Sequence, residues 1–215
     1  IGNWAFYGCS ALESVIIPES VTNIRESSFS GCSRLTNVSL PPTATNIGVN
    51  AFTYCTSLRS ITIPNSVRSI GLRAFSGCSN LASVIVGSNV TSIGVSAFSS
   101  ADNLADILCR GSAPSDSAWA DRLPQDATIY YLPGASGWPP IYGGRSTRIF
   151  RPAVVQSSFT PDAGFQFSWT NTGLIPMSVR RATSLDGPWT VVSTNTATSQ
   201  FVDPSPLSGK AFYQA

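Results

Sequence analysis

Four cysteines, spaced evenly along the first third of the chain, are its first candidates for chemistry. They occupy positions 9, 32, 55 and 78, and each is twenty-three residues from the next. Thiolates bind zinc or attack substrates, but four zinc ligands must converge on one point. Even spacing instead predicts one thiol in each unit of a repeat, packed as a core residue. The chain has no histidine, so neither a Cys-His nor a Ser-His nucleophile pair is possible within it.

Acidic residues could supply a second kind of chemistry. A glycoside hydrolase needs two carboxyl groups about 5–10 Å apart, and only Asp102 and Asp106 are spaced to be neighbours. Asp116, Asp121 and Asp126 are five residues apart, which matches no calcium-binding loop. We interpret all five as solvated edge and turn residues. The sequence therefore predicts a protein that is not an enzyme, with no cofactor and no metal site.

The cysteines belong to a repeat that fills the first half of the chain. Apolar positions recur every twenty-three residues in five copies up to about residue 109. A fixed period in the twenties is typical of a solenoid, in which each unit buries its apolar face by stacking on its neighbours. Three columns show the period most clearly: Ile1, Ile24, Ile47, Ile70 and Ile93; Phe6, Phe29, Phe52, Phe75 and Phe98; Leu12, Leu35, Leu58, Leu81 and Leu104.

The unit at residues 47–69 predicts the local structure. Residues 57–64 alternate between apolar and polar side chains, which indicates a strand that Pro64 ends. A second short extended segment is expected at 67–70. Residues 74–78 in the next unit predict one helical turn closed by a glycine. The fold expected for residues 1–110 is thus mainly β, with short strands and helical turns.

Alternation also assigns the faces of the longer strand. Every second residue points inward, and the interleaved residues form one outward sheet surface, nearly uncharged over four units. A surface of this kind is a candidate site for a ligand. The candidate residues are Asn37, Ser39, Ser60, Thr62, Ser83 and Ile85, with Arg34 and Arg59 at the flank.

The remaining chain divides into two further segments. Residues 111–150 break the period and are expected to cap the open end of the solenoid, because an uncovered end would expose core side chains. Residues 151–215 contain six short alternating runs separated by turn signals, which predicts a small β-sandwich. Within the cap, four aromatic residues either stack on a sugar or a protein partner, or seal the solenoid end. They are Tyr130, Tyr131, Trp138 and Tyr142.

Bulk composition narrows the set of partners. Only 11% of the residues are charged and the net charge is +2, which argues against binding to nucleic acid or an anionic membrane. No apolar run reaches the roughly 18 residues of a membrane span. The repeat at Ile1 has no cap before it, so a homo-oligomer joined through that end is possible.

The repeat unit I-G-x-x-A-F-x-G-C-S-x-L-x-S-V-x-I-P-x-S-V-T resembles the BspA-like class of bacterial leucine-rich repeats, over residues 1 to about 109. That resemblance implies an extracellular or cell-surface location and a role in adhesion. The tail, through residues 179–182, 187–192 and 211–215, resembles a fibronectin type III-like or immunoglobulin-like module.

Two functional hypotheses follow. The first is a non-catalytic extracellular protein that presents its repeat-built β-surface to a protein or glycan ligand. The alternative is a structural subunit that self-assembles into a filament or surface layer by stacking through the Ile1 end.

Overall fold

The chain divides into two compact units, Ile1–Phe150 and Arg151–Ala215. The computed structural model describes residues 1–150 and, beyond them, the backbone of six strands. Each unit is treated by itself below.

In the first unit, each repeat contributes one strand of three or four residues, and each of the first four repeats adds a strand of two residues. Partners in neighbouring repeats are parallel and twenty-three residues apart, as in Val15 with Val38 and Ile61 with Val84. The strands are β1 (Ser14–Ile16), β2 (Asn23–Ile24), β3 (Asn37–Ser39), β4 (Asn46–Ile47), β5 (Ser60–Thr62), β6 (Ser69–Ile70), β7 (Ser83–Val86), β8 (Ser92–Ile93) and β9 (Asp106–Cys109).

The segment after the repeats extends the sheet that the longer strands form. It contains β10 (Thr128–Tyr131), β11 (Ile141–Tyr142) and β12 (Arg145–Ile149). Strand β10 pairs in parallel with β9 and β12, and β11 closes the edge in the antiparallel sense. The short strands form one sheet in the order β2-β4-β6-β8, while the longer ones form two, β1-β3 and β5-β7-β9-β10-β12-β11.

The core is a set of straight side-chain columns. The five phenylalanine rings stack with centroids 5.1–5.4 Å apart and planes within 5° of parallel. Four of these rings are fully buried, and so are the leucines that follow them from Leu35 to Leu81. Trp119 continues the column at the capped end, where its ring lies edge-on to Phe98 at 6.1 Å.

The predicted helical turns are wrong: within residues 1–150 the structure contains no helix. Each repeat forms one coil of the solenoid, and the turn segment of a coil that carries its phenylalanine is called the arc. In the arc around Phe52, alternate N–H groups donate to the next coil rather than along the chain. The amide of Phe52 donates to the carbonyl of Ala74 at 2.7 Å, and that of Tyr54 to Ser76 at 2.8 Å. The amide of Thr53, between them, makes a turn bond to Asn50. A helix would need all of these donors for itself, so inter-coil bonding excludes it.

Close stacking of the coils also explains a repeated glycine. A β-carbon added at Gly71 would lie 2.6 Å from the carbonyl carbon of Gly48 in the preceding coil. Real side chains do not approach backbone so closely, so this position must lack one for the hydrogen-bonded spacing to be kept.

Six strands are found in the described part of the second unit. They form two antiparallel sheets, β13-β14-β17 and β16-β15-β18. The predicted packing of these sheets as a β-sandwich depends on residues outside the described ones. The strands are β13 (Ala153–Thr160), β14 (Gly164–Thr170), β15 (Val179–Ala182), β16 (Thr190–Ser193), β17 (Gln200–Val202) and β18 (Phe212–Gln214).

Replacing the central ring of the column should cost much of the stability. We expect Phe52→Ala to lower the free energy of unfolding by about 3–5 kcal/mol, because the coils on either side cannot collapse into the cavity. Denaturant unfolding of the full chain measures the change. Val95→Ala, at an exposed position, is the control and should change stability by no more than about 0.5 kcal/mol. Equal effects of the two substitutions would contradict the stacked core.

Candidate functional site

Four of the predicted ligand-binding residues meet in one groove on the outward face of the longer strands. This sheet-face groove is bordered by Asn37 and Ser39 of β3 and by Ser60 and Thr62 of β5, and its volume is about 510 Å³. All four side chains are exposed, while Val38 and Leu40 below them are buried. Pro42 and Pro64 lie at one end. The groove therefore presents hydroxyl and amide groups above an apolar floor.

The groove coincides with a break in the backbone ladder. On one side the amide of Ile17 donates to the carbonyl of Ser39 at 3.1 Å, and on the other Ile63 donates to Ile85 at 2.8 Å. Between β3 and β5 themselves, no backbone hydrogen bond is found among the described residues. The facing edges of these strands thus retain unpaired N–H and C=O groups, and such groups need a partner, either water or a ligand.

The two flanking arginines are both at the surface. Arg34 forms an ion pair with Glu13 in which both side chains are more than half exposed, so the pair stabilises the fold little. Arg59 is exposed beside Ser60. Both remain candidates for contacts at the rim of the groove.

The structure corrects the prediction for Ser83 and Ile85. Both belong to β7 and were expected on the exposed face, yet they retain only 4% and 3% of their accessible surface. From this strand onward the outward column changes from small hydroxyl residues to large apolar ones. Ile85 lies in register with Leu108, and Leu108 with Tyr130, so bulky side chains shield one another. These two residues do not offer a binding surface.

Half of the predicted aromatic patch is also buried. Trp138 donates its indole N–H to the carbonyl of Gly111 at 3.1 Å. The Tyr142 hydroxyl lies 2.5 Å from the carbonyl oxygen of Pro114 and 2.9 Å from that of Asp116. Burial raises the pKa of Tyr142, and the nearby Asp116 carboxylate adds to the rise. These contacts support sealing of the solenoid end, the second of the two roles considered for the patch.

The other two members of the patch are half-buried. The Tyr131 ring stacks on Trp138 with centroids 5.9 Å apart, and Tyr130 meets Phe150 edge-on at 6.2 Å. Each ring has an aromatic neighbour, so the patch packs mainly on itself.

A second groove lies on the arcs, where sequence analysis proposed no site. This turn-face groove has a floor of the buried residues Ser27, Ser30 and Thr53, and its volume is about 510 Å³. Exposed aromatic rings border it, namely Trp4, Tyr7 and Tyr54. The sequence did carry one signal for it, because Tyr54 replaces the glycine found at the same repeat position in three of the other four copies.

The four buried cysteines pack inside the solenoid, as the repeat predicts. Within residues 1–150 no cluster of three or more metal-ligating residues occurs. The Cys55 thiol donates to the carbonyl of Phe29 at 3.2 Å and that of Cys78 to Phe52 at 3.1 Å. All five cysteines are free, and four of them are buried while Cys9 is exposed. Burial raises the pKa of Cys32 to about 11 and that of Cys78 to about 12.

The fold and its columns define a leucine-rich repeat protein of the parallel, short-strand type. The sequence pattern described as BspA type Leucine rich repeat region (6 copies) matches residues 1–113. The chain therefore belongs to the BspA-type leucine-rich repeat family. No helix that could span a membrane is found among the described residues.

Solved structures agree with this assignment. A leucine-rich repeat protein from Bacteroides ovatus is 32% identical with a TM-score of 0.51, and the match covers 59% of this chain and 32% of that one. The leucine-rich repeat protein of T. pallidum is 30% identical with a TM-score of 0.50, over 61% of this chain and 66% of that one. The pneumococcal vaccine antigen PcpA shares the fold at 16% identity, with a TM-score of 0.54 over 69% of this chain and 38% of its own.

This chain thus spans about a third of the length of the Bacteroides protein and less than two thirds of the T. pallidum protein. No curated protein matches it at a significant level.

Raising the pH above about 9 should destabilise the fold through the buried thiols. In the unfolded chain they ionise near their ordinary pKa of 9.0, whereas the folded chain holds those of Cys32 and Cys78 protonated up to about 11 and 12. Between pH 9 and 11 the unfolded state therefore binds fewer protons, and stability falls as pH rises. Below that window both states keep these protons, and the thiols contribute no slope.

Denaturant unfolding at pH 8, 9, 10 and 11 measures this dependence. Cys78→Ala removes one contributing thiol and should give a shallower fall above pH 9, although its stability at pH 8 is lower. Parallel curves for the two proteins would show that the thiols do not cause the decline.

Proposed function

We propose that this chain is a non-catalytic binding or adhesion protein of the bacterial cell surface or extracellular space. Leucine-rich repeat proteins of this family are generally binding proteins, and the described residues of the solenoid form the two open grooves above. No group of metal ligands lies within residues 1–150. The carrying observation is the sheet-face groove, where four polar side chains and two unpaired strand edges face the same space.

The groove favours an extended segment of a protein as its ligand, over the glycan that the sequence leaves equally open. A peptide that lies over the groove can hydrogen-bond to the N–H and C=O groups that β3 and β5 leave unpaired. Asn37, Ser60 and Thr62 then supply side-chain hydrogen bonds, and the rim arginines attract acidic residues of the partner. Low charge along the floor means that binding depends on hydrogen bonds and shape.

The other proposals concern the rest of the chain. Residues 111–150 act as the cap of the solenoid, and residues 151–215 as a fibronectin type III-like β-sandwich that serves as a spacer or attachment module. Self-assembly through the Ile1 end stays a prediction from the sequence, and regular fibres in electron micrographs of the full chain would support it.

Charging the groove should abolish binding without unfolding the solenoid. The double substitution Ser60→Arg and Thr62→Glu places bulky charged groups on exposed positions, so the melting temperature should change little. Wild-type and variant chains would be applied to an array of extended peptides and glycans, and the dissociation constants of the bound members measured by calorimetry. We expect at least a tenfold weakening.

The matched control is Ser92→Arg with Thr91→Glu, which puts the same groups on two exposed residues at the start of β8, in the sheet of two-residue strands. It should bind as the wild type does. If the groove variant folds and keeps its affinity for every bound member, the sheet-face groove is not the binding site. Binding of glycans alone would assign the groove to sugars instead of peptides.

A further inference from the structure

The turn-face groove carries an exposed tyrosine in a strained backbone conformation. Tyr54 has φ +58°, in the left-handed region that costs a residue with a side chain about 1–2 kcal/mol. The corresponding residues Gly8, Gly31 and Gly77 adopt the same region without that cost, and Ser100, at the same position of the fifth repeat, adopts it at φ +56°. Tyr54 is nevertheless 63% exposed, so burial of its ring does not offset the strain. Other non-glycine residues of these turns adopt the same conformation, so it is the exposed aromatic ring, at a position where three other repeats have glycine, that marks Tyr54 as a candidate ligand contact.

The next coil holds the Tyr54 ring in place. A β-carbon added at Gly77 would lie 2.5 Å from a carbon of that ring, so the ring lies directly over the glycine backbone. This contact positions the ring in the third coil of the groove. In the first coil Trp4 and Tyr7 also border the groove, and they pack on each other with centroids 5.1 Å apart and planes 57° from parallel. The groove is thus bordered by aromatic rings of the first and third coils.

Polar groups with unused hydrogen-bonding capacity line the same groove as these rings. The Ser27 and Ser30 hydroxyls on the floor have no hydrogen-bond partner among the described residues. Thr53 is already engaged, since its hydroxyl donates to the carbonyl of Arg73 at 2.7 Å. Aromatic faces bordering free hydroxyls suit a sugar ring, which has apolar C–H faces and hydroxyl edges.

Charge selects among the possible sugars. Arg73 is exposed and lines the groove, and no carboxylate pairs with it within residues 1–150. No acidic residue lines the groove in that part of the chain. A guanidinium with five N–H donors binds a carboxylate in a bidentate manner. A ligand that carries both a sugar ring and a carboxylate satisfies the aromatic rings, the floor and Arg73 together.

We propose that the turn-face groove is a binding site for an acidic glycan, in which Tyr54 and Trp4 stack on sugar rings and Arg73 binds a carboxylate. Its volume of about 510 Å³ lies within the range of about 300–1,000 Å³ that is usual for small-ligand sites. This site is on a different face of each repeat from the sheet-face groove, and it does not depend on the function proposed for that groove.

Calorimetric titration of the full chain with trigalacturonate tests the proposal. Tyr54→Gly installs the residue that other repeats carry, which removes the strain, so its melting temperature should equal or exceed that of the wild type. Its affinity for trigalacturonate should nevertheless fall at least about tenfold. Arg73→Gln should weaken trigalacturonate similarly and remove most of the salt dependence of binding.

Arg68→Gln, at an exposed cation outside the groove, is the matched control and should bind as the wild type does. The Ser60→Arg, Thr62→Glu variant should also bind trigalacturonate normally, which separates this site from the sheet-face groove. Absence of trigalacturonate binding, or binding that Tyr54→Gly leaves unchanged, overturns the proposal. Equal binding of chitotriose, insensitive to Arg73→Gln, overturns the assignment to acidic sugars.

Discussion

Hydrogen bonding between coils of equal length is the constraint on which this structure depends. Within the repeats, neighbouring coils hydrogen-bond to each other through the arcs and, except between β3 and β5, through the strands. These bonds keep the same register from coil to coil only because successive repeats have the same length of twenty-three residues. The same constraint brings identical side chains together, so that the phenylalanine rings stack with centroids 5.1–5.4 Å apart. Each buried thiol from Cys32 to Cys78 donates to the backbone carbonyl of the phenylalanine in the preceding coil. Removal of one ring therefore leaves a cavity between two neighbouring coils, since neither coil can move to fill it without breaking its own hydrogen bonds.

A fixed interior leaves functional variation to the outward positions. The apolar columns cannot change size without affecting their neighbours, whereas the residues between them face solvent and can differ from coil to coil. The exposed residues that border both grooves occupy such positions. The sheet-face groove uses small polar residues where two strands are not joined, and the turn-face groove uses large aromatic residues on the arcs. A repeat protein of this kind can thus present separate surfaces for separate ligands without altering its core.

The sequence predicts the periodic part of this structure well and its exceptions poorly. The columns of Phe52 and Cys55 and the strand at Ser60–Thr62 follow from period and alternation, because every coil repeats the same environment. The turn conformation does not follow, since a short apolar segment closed by glycine fits a helix equally well until the direction of its N–H groups is known. The break between β3 and β5 depends on backbone spacing, which side-chain patterns do not encode. The burial of Ile85 depends on the large residues beside it in the sheet.

A residue that departs from the repeat pattern can nevertheless be interpreted once the backbone conformation at its position is known. At the position of Tyr54 the backbone must be left-handed in every coil, so glycine is the residue that stability alone would favour. A tyrosine there needs space over the following coil, and Gly77 provides it because no side chain projects toward the ring. Tyr54 and Gly77 therefore form a pair: a residue larger than glycine at position 77 would displace the ring and reshape the groove. The strain at Tyr54 lowers the stability of the fold. In the proposal above, the free energy of binding a ligand that stacks on the ring offsets this loss.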